Sequence, residues 1–281
     1  MPRDLIASLA ARLAEAGIEE ARAEAWLLLA AATGRERAAL VAGPGDALDP
    51  VARARLDEML ARRLDREPMA HILGEKEFWS LPLVVGPGVL IPRPETESVV
   101  EAALDAVSDR QARLCVLDLG TGSGCLLLAL LSELPNATGV GVDASGHALA
   151  VAKVNARRLG LAQRASFAVG DWGCGLDGPF DLIVSNPPYI RAADWAGLQP
   201  EIRDFEPPAA LLAGPDGLDA YRALAPESLR LLATDGSLAL EIGFGQADAV
   251  TAILAAHGLH VNERRRDLAG IERCLVARRR R

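Results

Sequence analysis

A buried apolar run that ends in three closely spaced glycines constrains this chain more than any other feature. Leu114-Cys115-Val116-Leu117-Asp118-Leu119 reads as a strand covered on both faces, and it enters Gly120-Thr121-Gly122-Ser123-Gly124. The helical pattern Cys125-Leu126-Leu127-Leu128-Ala129-Leu130-Leu131 follows at once. A buried strand that feeds a helix through a glycine turn belongs to a parallel sheet with helical crossovers. Glycines at such a turn let the backbone approach a ligand, and the helix N-terminus offers unpaired N–H groups to an anionic end. The spacing is not that of the dinucleotide fingerprint, because Cys125 stands where its third glycine would be, so a nicotinamide cofactor is disfavoured. Nor does a Gly-Lys-Ser/Thr follow, as a phosphate loop requires.

The strands and helices go on alternating from about residue 111. Ala137-Thr138-Gly139-Val140-Gly141-Val142-Asp143 is a second short strand with a carboxylate at its C-terminal end. In doubly wound folds an acid at that point accepts hydrogen bonds from ribose hydroxyls, whereas an Asp just before a helix, here one from about Ser145 to Arg158, is also a common cap. Ala165 to Val169 is a third strand, leading to Gly170-Asp171-Trp172, where an acid and a flat indole can flank a purine or the indole can simply pack in a loop.

A fourth apolar run, Phe180-Asp181-Leu182-Ile183-Val184-Ser185, stops at Asn186-Pro187-Pro188-Tyr189. Two prolines in succession fix φ and remove two backbone donors, so the chain leaves the sheet with carbonyls in search of partners. A planar amino group on an sp² carbon offers two coplanar N–H donors. The Asn186 side-chain oxygen suits one of them and the Pro187 carbonyl the other, with Tyr189 against a flat face. Such a turn suits an amide or the exocyclic amine of a base, although any Asn-Pro pair can also make an ordinary strand-to-loop turn.

Taken in order, Asp-Leu-Gly-Thr-Gly-Ser-Gly, Val-Asp, Gly-Asp-Trp and Ser-Asn-Pro-Pro-Tyr-Ile resemble the S-adenosylmethionine-dependent methyltransferases that modify planar nitrogens. Within them the chain is most similar to the peptide chain release factor glutamine methyltransferases. Glu67-Pro68-Met69-Ala70-His71-Ile72-Leu73-Gly74, Phe78-Trp79, Val89-Leu90-Ile91-Pro92-Arg93-Pro94-Glu95-Thr96-Glu97 and Asp267-Leu268-Ala269-Gly270-Ile271-Glu272-Arg273 also fit that family, so the resemblance spans nearly the whole chain. The Ile-Pro-Arg-Pro-Glu-Thr-Glu segment separates it from DNA adenine methyltransferases, which share the Asn-Pro-Pro-Tyr type of motif.

The resemblance implies an α/β fold: a Rossmann-like class I methyltransferase sheet, mostly parallel with an antiparallel last strand, plus a small all-helical N-terminal domain and a β-hairpin linker. It implies S-adenosyl-L-methionine as methyl donor, S-adenosyl-L-homocysteine as product, and class 1 peptide chain release factors as partners. The acceptor would be the glutamine N5 of their Gly-Gly-Gln motif. Expected cofactor contacts are Gly120, Thr121, Gly122, Ser123, Gly124, Asp143, Trp172 and Asn186, and expected acceptor contacts are Asn186, Pro187, Pro188 and Tyr189, with Asn186 and Pro187 catalytic. No strong general base is evident, so the last proton is expected to leave to water. The sister enzyme that methylates a glutamine of a ribosomal protein shares these motifs. An adenine-N6 methyltransferase would need a target-recognition region and a basic cleft, and a non-catalytic binding module would leave both motifs unexplained.

Charge bears on the partners. Thirty Lys and Arg against 38 Asp and Glu give a net charge of −8, which speaks against broad binding to nucleic-acid backbone and for a basic partner. Arg264-Arg265-Arg266 and Arg278-Arg279-Arg280-Arg281 are read as solvated charge runs. The apolar stretches are too short to span a membrane, and Met1-Pro2-Arg3-Asp4 lacks a signal-peptide layout, so a cytoplasmic location is expected. Cys115, Cys125, Cys174 and Cys274 lack paired metal spacing and are read as reduced, with Cys115 buried in a core strand. His257 and His260, three apart, are placed in a helix-end loop, and no metal is expected.

Three parts follow along the chain. Residues 1–71 are read as a helical domain, with its clearest helices at Ala21–Ala32 and Val51–Leu64 and breaks at Gly17, Gly34 and Gly43-Pro44-Gly45, and the resemblance implies that it docks the substrate. Residues 72–94 are the hairpin linker, punctuated by Gly74, Pro82, Gly86, Pro87 and Gly88. Residues 95–281 are the methyltransferase domain, in which Glu95 and Glu97 open a helix, Gly236–Ile242 is a strand, and Glu272–Ala277 is the last one.

Overall fold

The computed structural model describes residues 2–42, 48–267 and 269–280, so Gly43-Pro44-Gly45, Leu268 and Arg281 lie outside the described residues. The chain forms two compact units: Met1–Gly74 together with Pro200–Phe205, and Glu75–Gln199 together with Glu206–Arg281.

The first unit is helical: α1 (Pro2–Glu15), α2 (Ala21–Thr33), α3 (Arg37–Ala42), α4 (Pro50–Leu64) and α5 (Met69–Leu73). Ile6, Leu9 and Leu13 of α1 recur on one helical face and are buried with Leu28 and Leu29 of α2 and Leu56 and Leu60 of α4. Pro50 starts α4 where a missing N–H does no harm, and the Asp49 carboxylate caps it by accepting from Val51 N and Ala52 N. Gly34 ends α2 in the left-handed region, at φ 65°. The short helix α9 (Pro200–Arg203) also belongs to this unit. Its Glu201 accepts from Arg63 (3.0 Å) and Arg66 (2.8 Å), while the buried Arg63 also pairs with Glu24 (2.6 Å).

The second unit begins with an antiparallel hairpin, β1 (Glu75–Phe78) and β2 (Leu81–Val84), turned by Trp79 and Ser80 at φ 53° and 57°. Neither is a residue that favours this region, and Trp79 is held there at both ends: its N–H donates to Glu97 and its indole N–H to Glu133. A sheet follows, built from β3 (Cys115–Leu119), β4 (Thr138–Asp143), β5 (Ala165–Val169), β6 (Phe180–Ser185), β7 (Leu232–Glu241), β8 (Leu259–Arg266) and β9 (Glu272–Arg279). Its order is β5-β4-β3-β6-β7-β9-β8, parallel through β7, with β9 antiparallel to both of its neighbours.

Both faces are covered. Val116, Leu182 and Val184 pack toward α6 (Glu97–Asp105) and α7 (Cys125–Glu133), on the side that also takes Ala156 of α8 (Gly146–Arg158). Leu117, Ile183 and Leu238 face α10 (Asp219–Leu231) and α11 (Ala247–Ala256). Each fully buried Leu contributes about 2 kcal/mol, so the unbroken apolar runs are what two-sided burial requires.

Three expectations change. Cys115 is exposed, because β3 has not yet entered the core where it begins; Cys174 is exposed too, Cys125 is partly buried and Cys274 is buried. The stretch from Leu259 to Arg266 is an edge strand with alternating burial, not a helix-end loop and a solvated charge run. His257 caps α11 and His260 lies in this strand, while Arg264 pairs with Asp248 and Arg265 with Asp105 and Glu263. Likewise Arg278 and Arg279 belong to β9, where they donate to Ser237 Oγ and to the Leu232 carbonyl. Those charges hid the strand, since a run of arginines on an edge looks the same in sequence as a polar loop. Among the described residues no helix is long and apolar enough to cross a membrane, and no cluster of three or more His, Cys, Asp or Glu is placed to hold a metal.

Candidate active site

Register brings the sequence motifs to one edge of the sheet. Leu119 of β3 lies opposite Val142 of β4 and Ser185 of β6, and Ser185 lies opposite Leu240 of β7. The glycine turn, Asp143, Asn186 and Glu241 therefore leave the sheet side by side at its C-terminal edge, where parallel sheets form their crevices. The Ser185 hydroxyl ties two of these ends together by donating to the Leu119 carbonyl at 2.6 Å.

The turn after β3 needs its glycines, since Gly120, Gly122 and Gly124 have φ of 74°, 55° and 84°. Asp143 accepts from Gly122 N at 2.9 Å and from Ser145 N at 2.8 Å, so its carboxylate braces the turn. The helix cap is Ser145 instead, whose hydroxyl accepts from Ala148 N. A cavity of about 330 Å³ opens here, and its wall includes Gly120, Thr121, Gly122, Ser123, Asp143, Trp172, Asn186 and Pro188. Gly124, Pro187 and Tyr189 are not in that wall. Gly124 serves packing: a Cβ there would come within 3.2 Å of both Leu128 and Ala152.

Asp118 is also in the cavity wall and is buried. One carboxylate oxygen accepts from Thr121 Oγ1 (2.6 Å) and Leu127 N (3.3 Å), while the other has no hydrogen-bond partner among the described residues. Burial pushes this carboxyl up to about 7 against those two hydrogen bonds, with the Asp143 charge adding to the rise. A buried carboxylate in a cavity wall with one oxygen unpartnered is suited to a cationic, hydrogen-donating ligand group.

The Asn-Pro-Pro-Tyr turn is held from behind. Asn186 Nδ2 donates to Thr96 Oγ1 at 3.0 Å, and Thr96 is buried. Tyr189 sends its hydroxyl inward to Glu241 Oε1 at 3.4 Å, and its carbonyl accepts from Gln246 Nε2 at 3.1 Å. Gln246 also donates to Gly217 O and accepts from Gly243 N, so one side chain joins three loops. Burial pushes the Glu241 carboxyl up to about 7, opposed by its hydrogen bonds with Thr96 and Tyr189 and by the Arg273 charge. The Tyr189 phenol is raised by burial and by Glu241.

Opposite walls are clamped by another acid. Glu206 is buried and accepts from Ile91 N at 3.1 Å and from the Arg93 guanidinium. It thereby fastens the Pro207–Ala210 stretch to the Leu90–Pro92 stretch, and both border the cavity. Asn155 does the same for the glycine turn, accepting from Val84 N and donating to the carbonyls of Val84 and Ser123. Glu97 spends its carboxylate on Trp79 N, and Glu95 is exposed.

The family model described as the PrmC N-terminal domain matches residues 4–74, and that of a methyltransferase domain matches residues 111–241. The release factor glutamine methyltransferase of Rhodospirillum rubrum is 49% identical over 96% of this chain and 82% of that one. The chain belongs to the release factor glutamine methyltransferase family. The Bradyrhizobium diazoefficiens member is 46% identical over 96% of this chain and 92% of that one. A solved Pyrococcus furiosus methyltransferase, 17% identical, shares the fold with a TM-score of 0.53 over 79% of this chain and 98% of that one.

The sequence alone does not single out Asp118, Thr96, Glu206, Asn155 or Glu241. Glu241 carried the same signal as Asp143, an acid closing an apolar strand, and was legible on that basis. Glu206 and Asn155 carried none, because their partners lie 115 and 71 positions away.

Proposed function

We propose that this chain methylates the side-chain amide nitrogen of the glutamine in the Gly-Gly-Gln motif of class 1 peptide chain release factors. It is an S-adenosylmethionine-dependent protein-glutamine N5-methyltransferase, and when bound, S-adenosylmethionine supplies an electrophilic sulfonium methyl. The residues present fit that donor: the free Asp118 oxygen suits its ammonium, Asp143 its ribose hydroxyls and Trp172 the face of its base.

The observation that carries the reading is the oriented Asn186 amide beside this cavity. With Nδ2 committed to Thr96, Oδ1 is the end left for an acceptor's N–H. An amide nitrogen is a poor nucleophile, since its lone pair is delocalised, so the protein's contribution is placement: nitrogen about 3 Å from the methyl and in line with the bond that breaks. Asn186 Oδ1 and the Pro187 carbonyl hold the two acceptor hydrogens and favour the positive charge that develops on nitrogen. The charged acceptor amide then loses its proton to water. The helical unit serves as part of the docking surface, and the enzyme acts in the cytoplasm, where its acceptor works.

Transfer of labelled methyl to a purified, unmodified class 1 release factor, with peptide mass mapping, tests this. A single methyl on the Gly-Gly-Gln glutamine is expected, lost in Asn186→Ala. Label on a ribosomal protein or on adenine in DNA, with none on the release factor, would overturn the acceptor and keep the chemistry.

A further inference from the structure

We propose that Glu241 is a positioning residue which, through the Thr96 hydroxyl, decides which end of the Asn186 amide faces the acceptor; this deepens the reading above and rests on it. Glu241 closes β7 one position beyond Leu240, which pairs with Ser185, so it sits beside the start of the Asn-Pro-Pro-Tyr turn. It is buried, and among the described residues its Oε2 has no hydrogen-bond partner in the geometry while Oε1 takes only Tyr189. Thr96 is buried too, its oxygen accepts from Asn186 Nδ2 at 3.0 Å, and its hydroxyl acts on the Glu241 carboxyl to lower its pKa, so the Thr96 proton is the one we assign to Glu241.

Hydrogen-bond polarity does the selecting. A threonine hydroxyl has one proton to give, and a carboxylate can only accept. With Glu241 charged, the Thr96 proton goes to the carboxylate, the Thr96 oxygen is left as an acceptor, and it takes the NH₂ end of Asn186. The amide oxygen then points at the acceptor. With Glu241 protonated, its own hydrogen turns to the Thr96 oxygen and the Thr96 proton is released toward Asn186. The amide oxygen becomes the better partner there, and the NH₂ end is presented to an acceptor that is itself a donor. Tyr189 reinforces the charged state by sending its hydroxyl to the same carboxylate.

Two carboxyls at this site titrate near neutrality, Glu241 and the Asp118 of the cavity wall, and the Glu241→Gln variant separates them. Burial raises Cys125 of α7 and Cys274 of β9 to about 12. It also raises Tyr189 and Tyr221, the latter a donor to the Glu241 carbonyl, so all four are neutral. The Arg273 charge favours the charged carboxylate and the Glu95 charge opposes it.

The test follows the Asn186 side-chain amide in ¹⁵N-labelled full-length protein between about pH 5 and about pH 9, with turnover measured alongside. The Asn186 NH₂ resonances are expected to shift with a midpoint near neutrality in the native chain and to stay still in Glu241→Gln and Thr96→Val. In Glu241→Gln, kcat for the release factor should fall about tenfold and lose its acid limb, with S-adenosylmethionine affinity held within about twofold. Asn186 resonances that do not titrate, or titrate alike in the native chain and Glu241→Gln, overturn the relay. A native chain whose Asn186 titrates as expected but which leaves the release factor unmethylated overturns the acceptor and leaves the relay standing.

Discussion

Asn186 and Thr96 lie 90 positions apart in the chain and meet through a single hydrogen bond in which Asn186 is the donor. That direction matters more than the contact itself, because it leaves the Asn186 oxygen for a ligand at the cavity whose wall Asn186 joins. The Asn-Pro-Pro-Tyr turn is thus oriented by a residue from the segment Pro94–Thr96, before the seven-stranded sheet has begun.

Asn186→Ala and Asn186→Asp should both lose turnover by about a hundredfold or more while binding S-adenosylmethionine within a few-fold of the native chain. Alanine removes the acceptor. Aspartate keeps an acceptor but loses the donor to Thr96 and adds a second carboxylate beside Glu241. Single-turnover transfer compared with calorimetric cofactor binding checks this; equal losses in both would place Asn186 in binding rather than in the chemical step.

Cofactor affinity should fall as pH drops below neutrality. Asp118 is raised to about 7, so at lower pH it holds a proton that a cationic ligand group must displace. Binding should weaken by up to about tenfold per pH unit below that point and release a proton, and Asp118→Asn should flatten the profile. Calorimetry in buffers of different ionisation enthalpy reads the proton directly.

Stability of the ligand-free protein should run the other way from activity. The folded pKa values of Asp118 and Glu241 are about 7, well above the roughly 4 of an unfolded carboxyl, so the folded state holds extra protons between those values. Stability is therefore greatest toward the low end of that window and declines as pH rises to about 7, by on the order of one to a few kcal/mol per group. Glu67 and Glu201, whose pKa values are lowered by Arg62 and by Arg66 and Arg63, lose their contribution only below about pH 4. Thermal melts from about pH 5 to about pH 8 should show the decline, and Glu241→Gln should lessen it.

Glu206→Gln should loosen the cavity wall without touching the Asn-Pro-Pro-Tyr turn. Removing the charge leaves Arg93 unpaired and weakens the hold on Ile91 N, which should destabilise by about 1–2 kcal/mol. A severalfold rise in the S-adenosylmethionine dissociation constant with a near-native rate at saturation is the expected signature, and steady-state kinetics across cofactor concentration reads it.

What could be read from the chain alone was what depends on neighbours in sequence. The doubly covered strand Cys115–Leu119, its glycine turn, the acid ending Thr138–Asp143 and the proline-stiffened turn at Asn186 are local signals, and each carries its chemistry within a few residues. The edge strand Leu259–Arg266 was lost because one solvated face and a row of arginines erase the apolar pattern that marks a strand. Cys115 was misplaced because burial along a strand depends on where the sheet's cover starts.

The Thr96–Asn186 bond, the Glu241 carboxylate beneath it and the Glu206 clamp were decided only by the tertiary structure. The directions of these hydrogen bonds and the raised Glu241 carboxyl come from burial and from partners brought together by the fold, and no residue's own neighbours encode them. Sequence determined which groups the chain carries to the edge of the sheet; the fold decided which way their hydrogen bonds run.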